Sequence, residues 1–127
     1  MTAISVFLCD DNSELRDLTR FCLEEADDLQ VVGDAGDAGT CVERIAELEP
    51  DVVLLDLSMP GVSGVEAIHT IRVASPRTAI VILSGMSKVR TEGVCLALGA
   101  VGFIEKREPI ERVRTAVRAA AGAGAGL

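Results

Sequence analysis

Five short apolar segments recur along the chain: ISVFL (4–8), QVVGDA (30–35), DVVLLDL (51–57), AIVIL (79–83) and VGFIE (101–105). They run nearly continuously apolar rather than alternating, which is the pattern of parallel strands covered on both faces. The stretches between them carry a helical period instead. Leu15, Leu18 and Cys22 share one face, as do Val42, Ile45 and Ala46, then Val65, Ile68 and Ile71, and finally Ile110, Val113, Val117 and Ala120. Punctuation agrees: Thr40 with Glu43 reads as a capping box, and Pro109 suits the first position of the last helix. A fourth helix is expected over 88–98 although Gly93 lies inside it, at a cost of about 1 kcal/mol relative to alanine. The tail AAAGAGAGL (119–127) reads as a frayed helix end or the stub of a linker, so the expected division is one domain over 1–121 and a Gly/Ala tail over 122–127.

Strand and helix alternate five times, which implies an α/β domain with a parallel sheet and right-handed crossovers. The expected fold is the doubly wound, flavodoxin-like arrangement of five strands in the order 2-1-3-4-5 with five helices. In that order strands 1 and 3 are neighbours at the switch point, where ligands bind beyond the carboxyl ends of the strands.

Composition narrows the function classes. At 127 residues the chain suits one domain with a real core. No apolar run approaches the roughly 18 residues that a membrane span needs, and MTAISVFLCDD lacks the features of a secretory leader, so a cytoplasmic location with no membrane partner is expected. Cys9, Cys22, Cys41 and Cys95 are scattered, without a C-x-x-C pair, and read as small buried apolar residues. Twenty acidic against 12 basic residues give a formal charge of −8, which repels phosphate backbones. With no Trp or Tyr and only three Phe, stacking platforms for bases are also lacking.

The candidate chemistry lies at the strand ends. Strand 1 delivers Asp10 and Asp11, strand 3 Asp56, strand 4 Ser84 and strand 5 Lys106. Three carboxylates about 5 Å apart repel by roughly 3 kcal/mol per pair at an effective dielectric of 20, so the group calls for a cation. Few, hard, solvent-open oxygen ligands suit Mg²⁺, which keeps several waters and accepts a substrate phosphate. Asp56 on the central strand is then the candidate nucleophile, with an aspartyl phosphate as product. The Lys106 ammonium and the Ser84 hydroxyl would meet the phosphoryl oxygens.

The set CDD (9–11), LLDLSMPGVSG (54–64), ILSG (82–85) and GAVGFIEK (99–106) resembles the receiver domain of bacterial two-component response regulators over nearly the whole chain. LLDLSMPGVSG together with VVGDAGDAG is similar to the NarL/FixJ (LuxR-type) branch, whose members usually add a C-terminal helix-turn-helix domain. The resemblance implies that Asp56 accepts phosphate from a sensor histidine kinase or a small-molecule donor. It implies Mg²⁺ bound by Asp11, Asp56 and the backbone carbonyl of Ser58, with Asp10 joining through water, and Ser84 and Lys106 gripping the phosphoryl group. It further implies a switch in which Ser84 moves towards the phosphoryl group and Phe103 turns inward, remodelling the surface of helix 4, strand 5 and helix 5. Such a protein is a signalling switch rather than a turnover enzyme. DNA would be reached only through a separate helix-turn-helix domain absent from this chain, and a second copy is a candidate partner through helices 1 and 5 or helices 4 and 5.

One departure stands out: chemotaxis-type members place Pro directly after the Lys, whereas this chain reads KREPIE, which leaves the loop beside Lys106 open. GDAGDAG (33–39) follows strand 2 rather than strand 1 and has the wrong spacing for a dinucleotide loop, and His69 reads as a surface or boundary residue of an amphipathic helix. The competing readings are a stand-alone receiver acting by protein–protein interaction and a flavodoxin-like cofactor binder. The latter would need a phosphate loop where DDNSE places negative charge.

Overall fold

The apolar runs become β1 (Ile4–Cys9), β2 (Leu29–Ala35), β3 (Val52–Leu55), β4 (Ala79–Ser84) and β5 (Gly102–Glu105). Between and after them lie α1 (Ser13–Glu24), α2 (Ala38–Leu48), α3 (Gly64–Ala74), α4 (Lys88–Ala97) and α5 (Ile110–Ala125). The computed structural model describes residues 3–61 and 63–125. All strand pairs are parallel, in the order β2-β1-β3-β4-β5 expected from the alternation.

Side chains alternate across the sheet and build a core on each face. Phe7, Val53, Leu55, Ile80, Ile82 and Phe103 point towards α2, α3 and α4, meeting Ile45, Ile68, Ile71 and Cys95. Val6, Leu8, Val52, Leu54, Val81 and Ile104 point the other way and meet Leu23 of α1 and Val113, Val117 and Ala120 of α5. The central strands β1, β3 and β4 are covered on both sides, whereas edge strand β2 alternates between buried and more open positions.

The helix faces differ from the expectation in phase. In α1 the buried residue is Leu23, while Leu18 is 58% exposed and Phe21 66% exposed. The inward face includes Thr19, whose polarity hid it from a count of apolar residues. In α2 the buried set is Ala38, Cys41 and Ile45, and Ala46 faces out. In α3 Ile68 and Ile71 are buried with Ala67, and Val65 is exposed. Cys9, Cys41 and Cys95 are buried as expected, Cys22 only half-buried, and all four are free thiols. The capping box is also corrected: Thr40 lies inside α2, and the cap is Asp37, which accepts from the Thr40 amide at 2.9 Å and the Thr40 hydroxyl at 2.9 Å. A carboxylate placed one turn earlier meets the free amides first. Pro109 precedes the first residue of α5 by one position, and the helix continues through the Gly/Ala stretch to Ala125. Residues 126 and 127 lie outside the described residues.

At the amino end of the sheet the polar groups close on one another. Ser5 donates from its amide and hydroxyl to Asp51 Oδ2 at 2.9 and 3.1 Å, and its hydroxyl accepts from the Asp51 amide at 2.8 Å. Thr78 Oγ1 donates to the carbonyl of Pro50 at 2.7 Å and lies 2.6 Å from Ser75 Oγ, which is then its donor.

Candidate functional site

Strand register assembles the opposite end. Cys9 of β1 pairs with Leu55 of β3, so the next residues, Asp10 and Asp56, leave adjacent strands side by side. Ser84 of β4 pairs with Glu105 of β5, and Lys106 follows one residue on. The Asp56 amide donates to the carbonyl of Cys9 at 2.9 Å and the Lys106 amide to the carbonyl of Ser84 at 2.8 Å, which carries the ladder into the loops. Gly64 shapes the segment after Asp56: a Cβ there would stand 2.4 Å from Leu57 Cα, so only glycine lets α3 start this close to the β3 loop.

The three carboxylates each offer an oxygen within 4.8 Å of the others. Asp56 is 2% exposed and Asp10 6% exposed, while Asp11 is open to solvent. Lys106 Nζ lies 3.0 Å from Asp10 Oδ2 and 3.0 Å from Asp56 Oδ2, one ammonium between two carboxylates. The remaining oxygens are held by backbone: Asp10 Oδ1 accepts from the Asn12 amide at 2.9 Å and Asp56 Oδ1 from the Ser58 amide at 3.0 Å. Burial pulls the Lys106 pKa down, but the hydrogen bonds and charges of Asp10 and Asp56 outweigh it and hold the pKa above the ordinary lysine value. Asp11 stands outside this ion pair, so the pocket keeps a carboxylate for a further cation. Hard oxygens at this spacing, one of them solvent-facing, fit a magnesium ion.

The other site residues are placed with differences. Ser84 is fully buried at the end of β4, and its hydroxyl accepts from the Met86 amide at 3.0 Å rather than meeting Asp56 or Lys106. Phe103 is 3% exposed and already faces inward, packed in the core. A phenyl ring without a hydroxyl gains nothing from facing water. Ser58 is exposed beside Asp56, and the Lys106–Arg107 bond is trans, as are all peptide bonds among the described residues. His69 is exposed on α3.

Glu105 is a residue that strand patterning missed. Ser87 at the head of α4 makes no capping bond through its side chain; Glu105 Oε2 from β5 accepts from the Lys88 amide at 2.8 Å instead. That bond, aided by Arg107, holds the Glu105 carboxyl below its ordinary pKa. An acidic residue at a strand end beside a helix start would have been the only signal.

The model of the response regulator receiver domain family matches residues 6–118. The chain belongs to that family. Among other receivers and their parent proteins, it is 36% identical over 118 residues to the uncharacterized transcriptional regulatory protein YxjL of Bacillus subtilis, covering 93% of this chain and 54% of that one. To the nitrate/nitrite response regulator protein NarL of Escherichia coli it is 34% identical over 119 residues, covering 93% and 55%. The receiver thus spans about half the length of these relatives. Solved neighbours include a LuxR-family two-component response regulator from Aurantimonas (TM-score 0.90, 28% identity, 97% of this chain and 87% of that one). The response regulator domain of Thermotoga maritima CheB is another (TM-score 0.87, 28% identity, 94% and 97%). No helix of this receiver among the described residues is long and apolar enough to cross a membrane.

Proposed function

We propose that this receiver accepts a phosphoryl group on Asp56 from a sensor histidine kinase, in the cytoplasm, and that the modification resets the surface formed by α4, β5 and α5. The observation that carries this reading is the nearly buried Asp56 held against Lys106, with Asp10 and Asp11 within ion-binding distance. A carboxylate oxygen of Asp56 attacks phosphorus, the new O–P bond forms as the N–P bond of a phosphohistidine breaks, and the neutralised histidine leaves. Asp11, Asp56 and the Ser58 carbonyl would hold Mg²⁺, with Asp10 contributing through water. Magnesium bound there supplies charge neutralisation for the phosphoryl oxygens. Lys106 releases one carboxylate contact to meet a phosphoryl oxygen. The Ser84 hydroxyl, which accepts from the Met86 amide, would turn to donate to another phosphoryl oxygen, which draws on the loop leading into α4.

Exposed apolar side chains lie on and beside α4: Val89 is 95% exposed, and Met86, Val94, Leu96 and Val101 are also open. Relatives in which the matched region is about half of the whole, one of them named a transcriptional regulatory protein, support a transcriptional output, with domain 1–121 as the input and a separate helix-turn-helix domain as the DNA-binding part. The test is incubation with a small phosphodonor and Mg²⁺, followed by intact-mass and peptide analysis. Wild type should gain one phosphoryl group at Asp56 and Asp56→Asn none; full modification of the variant at another residue would discard the assignment.

A further inference from the structure

Arg16 stands behind the acidic pocket rather than in it. It lies in the first turns of α1 with a side chain 17% exposed, and its guanidinium folds back onto the end of β1. Its Nη1 donates to the carbonyl oxygen of Asp10 at 2.6 Å and its Nε to Asp34 Oδ1, on β2, at 3.0 Å. The other oxygen of Asp34 takes Arg20 Nη1 at 2.6 Å. Asp10 is therefore gripped twice, its carboxylate by Lys106 and the Asn12 amide and its carbonyl by Arg16. Gly36 provides the space: a Cβ there would lie 2.9 Å from Arg16 Nη1, 3.6 Å from the Asp10 carbonyl oxygen and 3.7 Å from Asp11 Cα. Asp34 and Gly36 belong to GDAGDAG, the stretch that has no place in the phosphoacceptor chemistry. Asp11 is exposed and joins none of the ion pairs among the described residues, so what the chain fixes of it is the point from which its side chain springs, set by the peptide linking it to Asp10.

We propose that Arg16 is a positioning residue for the divalent-cation pocket, fixing the Asp10–Asp11 peptide against Asp34 and so setting the point from which the Asp11 side chain springs. The inference rests on the magnesium reading of the site. A guanidinium suits the task because its rigid fork serves a carbonyl and a carboxylate together, which an ammonium does not reproduce. Charge and position predict opposite signs. A cation beside an acidic pocket repels Mg²⁺, so its removal through charge alone tightens binding. Loss of positioning weakens binding, because Mg²⁺ tolerates little departure from octahedral geometry.

The experiment titrates Mg²⁺ alone into the unphosphorylated chain and follows backbone amide NMR shifts, with thermal unfolding of each variant as the check on folding. Arg16→Ala should raise the Mg²⁺ dissociation constant about tenfold, the lower end of what loss of a ligand-orienting partner costs. Arg16→Lys should not restore it. Arg20→Ala, which takes the same charge from Asp34 without touching Asp10, should leave affinity unchanged. Gly36→Ala keeps every charge and pushes the guanidinium aside, so it should weaken Mg²⁺ in the same direction by a smaller factor, and it serves if Arg16→Ala fails to fold. Tighter or unchanged binding in Arg16→Ala, an equal loss in Arg20→Ala or, where Arg16→Ala does not fold, unchanged binding in Gly36→Ala overturns the proposal. A wild type without any Mg²⁺ response overturns the magnesium reading and this inference together, whereas a normal wild type beside an unaltered Arg16→Ala overturns this inference alone.

Discussion

At the amino end of the sheet, Ser75, Thr78 and the Pro50 carbonyl form a closed chain of hydrogen bonds, and Ser5 and Asp51 clasp each other across β1 and the start of β3. At the carboxyl end, Asp10 and Asp56 divide a single ammonium, Asp11 stands apart and Ser84 is turned into its own loop. Both ends bury polar atoms that find partners within the chain, yet the second sets three carboxylates against one ammonium and so keeps an excess of negative charge. Buried polar networks stabilise when every member is satisfied and are vulnerable when they are not. The contrast separates a region built for stability from one that keeps charge in reserve for a ligand.

Replacing Lys106 should break this contrast most severely. Lys106→Ala leaves two nearly buried carboxylates without their cation and should lower stability by about 3 kcal/mol in a chelator, measured by denaturant unfolding. Millimolar Mg²⁺ should recover much of the loss, since a ligand that binds only the folded state stabilises it. The counterpart at the other end is Thr78→Val, which strips the Pro50 carbonyl of its donor and Ser75 of its acceptor. It should cost about 2 kcal/mol regardless of Mg²⁺ and leave phosphorylation unchanged. A Mg²⁺-dependent Thr78→Val phenotype would erase the distinction.

Two smaller effects sharpen it. Glu105→Ala removes the cap at the Lys88 amide, worth about 1 kcal/mol, and should speed hydrogen exchange through the first turn of α4 while the amides of β3 stay protected. At the amino end, the Arg118 guanidinium bonded to Asp28 holds that carboxyl below its usual value of 3.8. A depressed carboxyl pKa adds stability above the unfolded value, and that stability vanishes as pH falls through the folded one. Asp28→Asn should therefore lower the unfolding midpoint at neutral pH, with the gap to wild type closing below about pH 3.8. A gap that persists in acid would show that the pair contributes through something other than ionisation.

Patterning along the chain showed the architecture because β1, β3 and β4 are covered on both faces and so must be apolar throughout. It also pointed to the candidate site, because this fold confines chemistry to strand ends and only a few positions there are polar. Helix phase was less legible. Leu18 satisfies a helical period with Leu15 and Cys22, yet the face that meets the sheet runs through Thr19 and Leu23, and only the neighbouring element decides between the two. Thr40 and Glu43 match a capping pattern as well as Asp37 does, and the helix start chose between them. Glu105 and Arg16 act across the fold, joining positions 17 and 6 residues distant in sequence, and no local periodicity records such bonds.

The borrowed cap of α4 has one more consequence. Its first turn is tied to a carboxylate on the residue just before the site lysine, Gly93 loosens its middle, and Val89 beside that turn is almost wholly in water. Such a segment is attached to the frame by a hinge pin rather than by mortar. On the proposed reading, a pull at the strand ends would reach this helix first, because Cys95 is the one buried residue by which it is seated among the described residues.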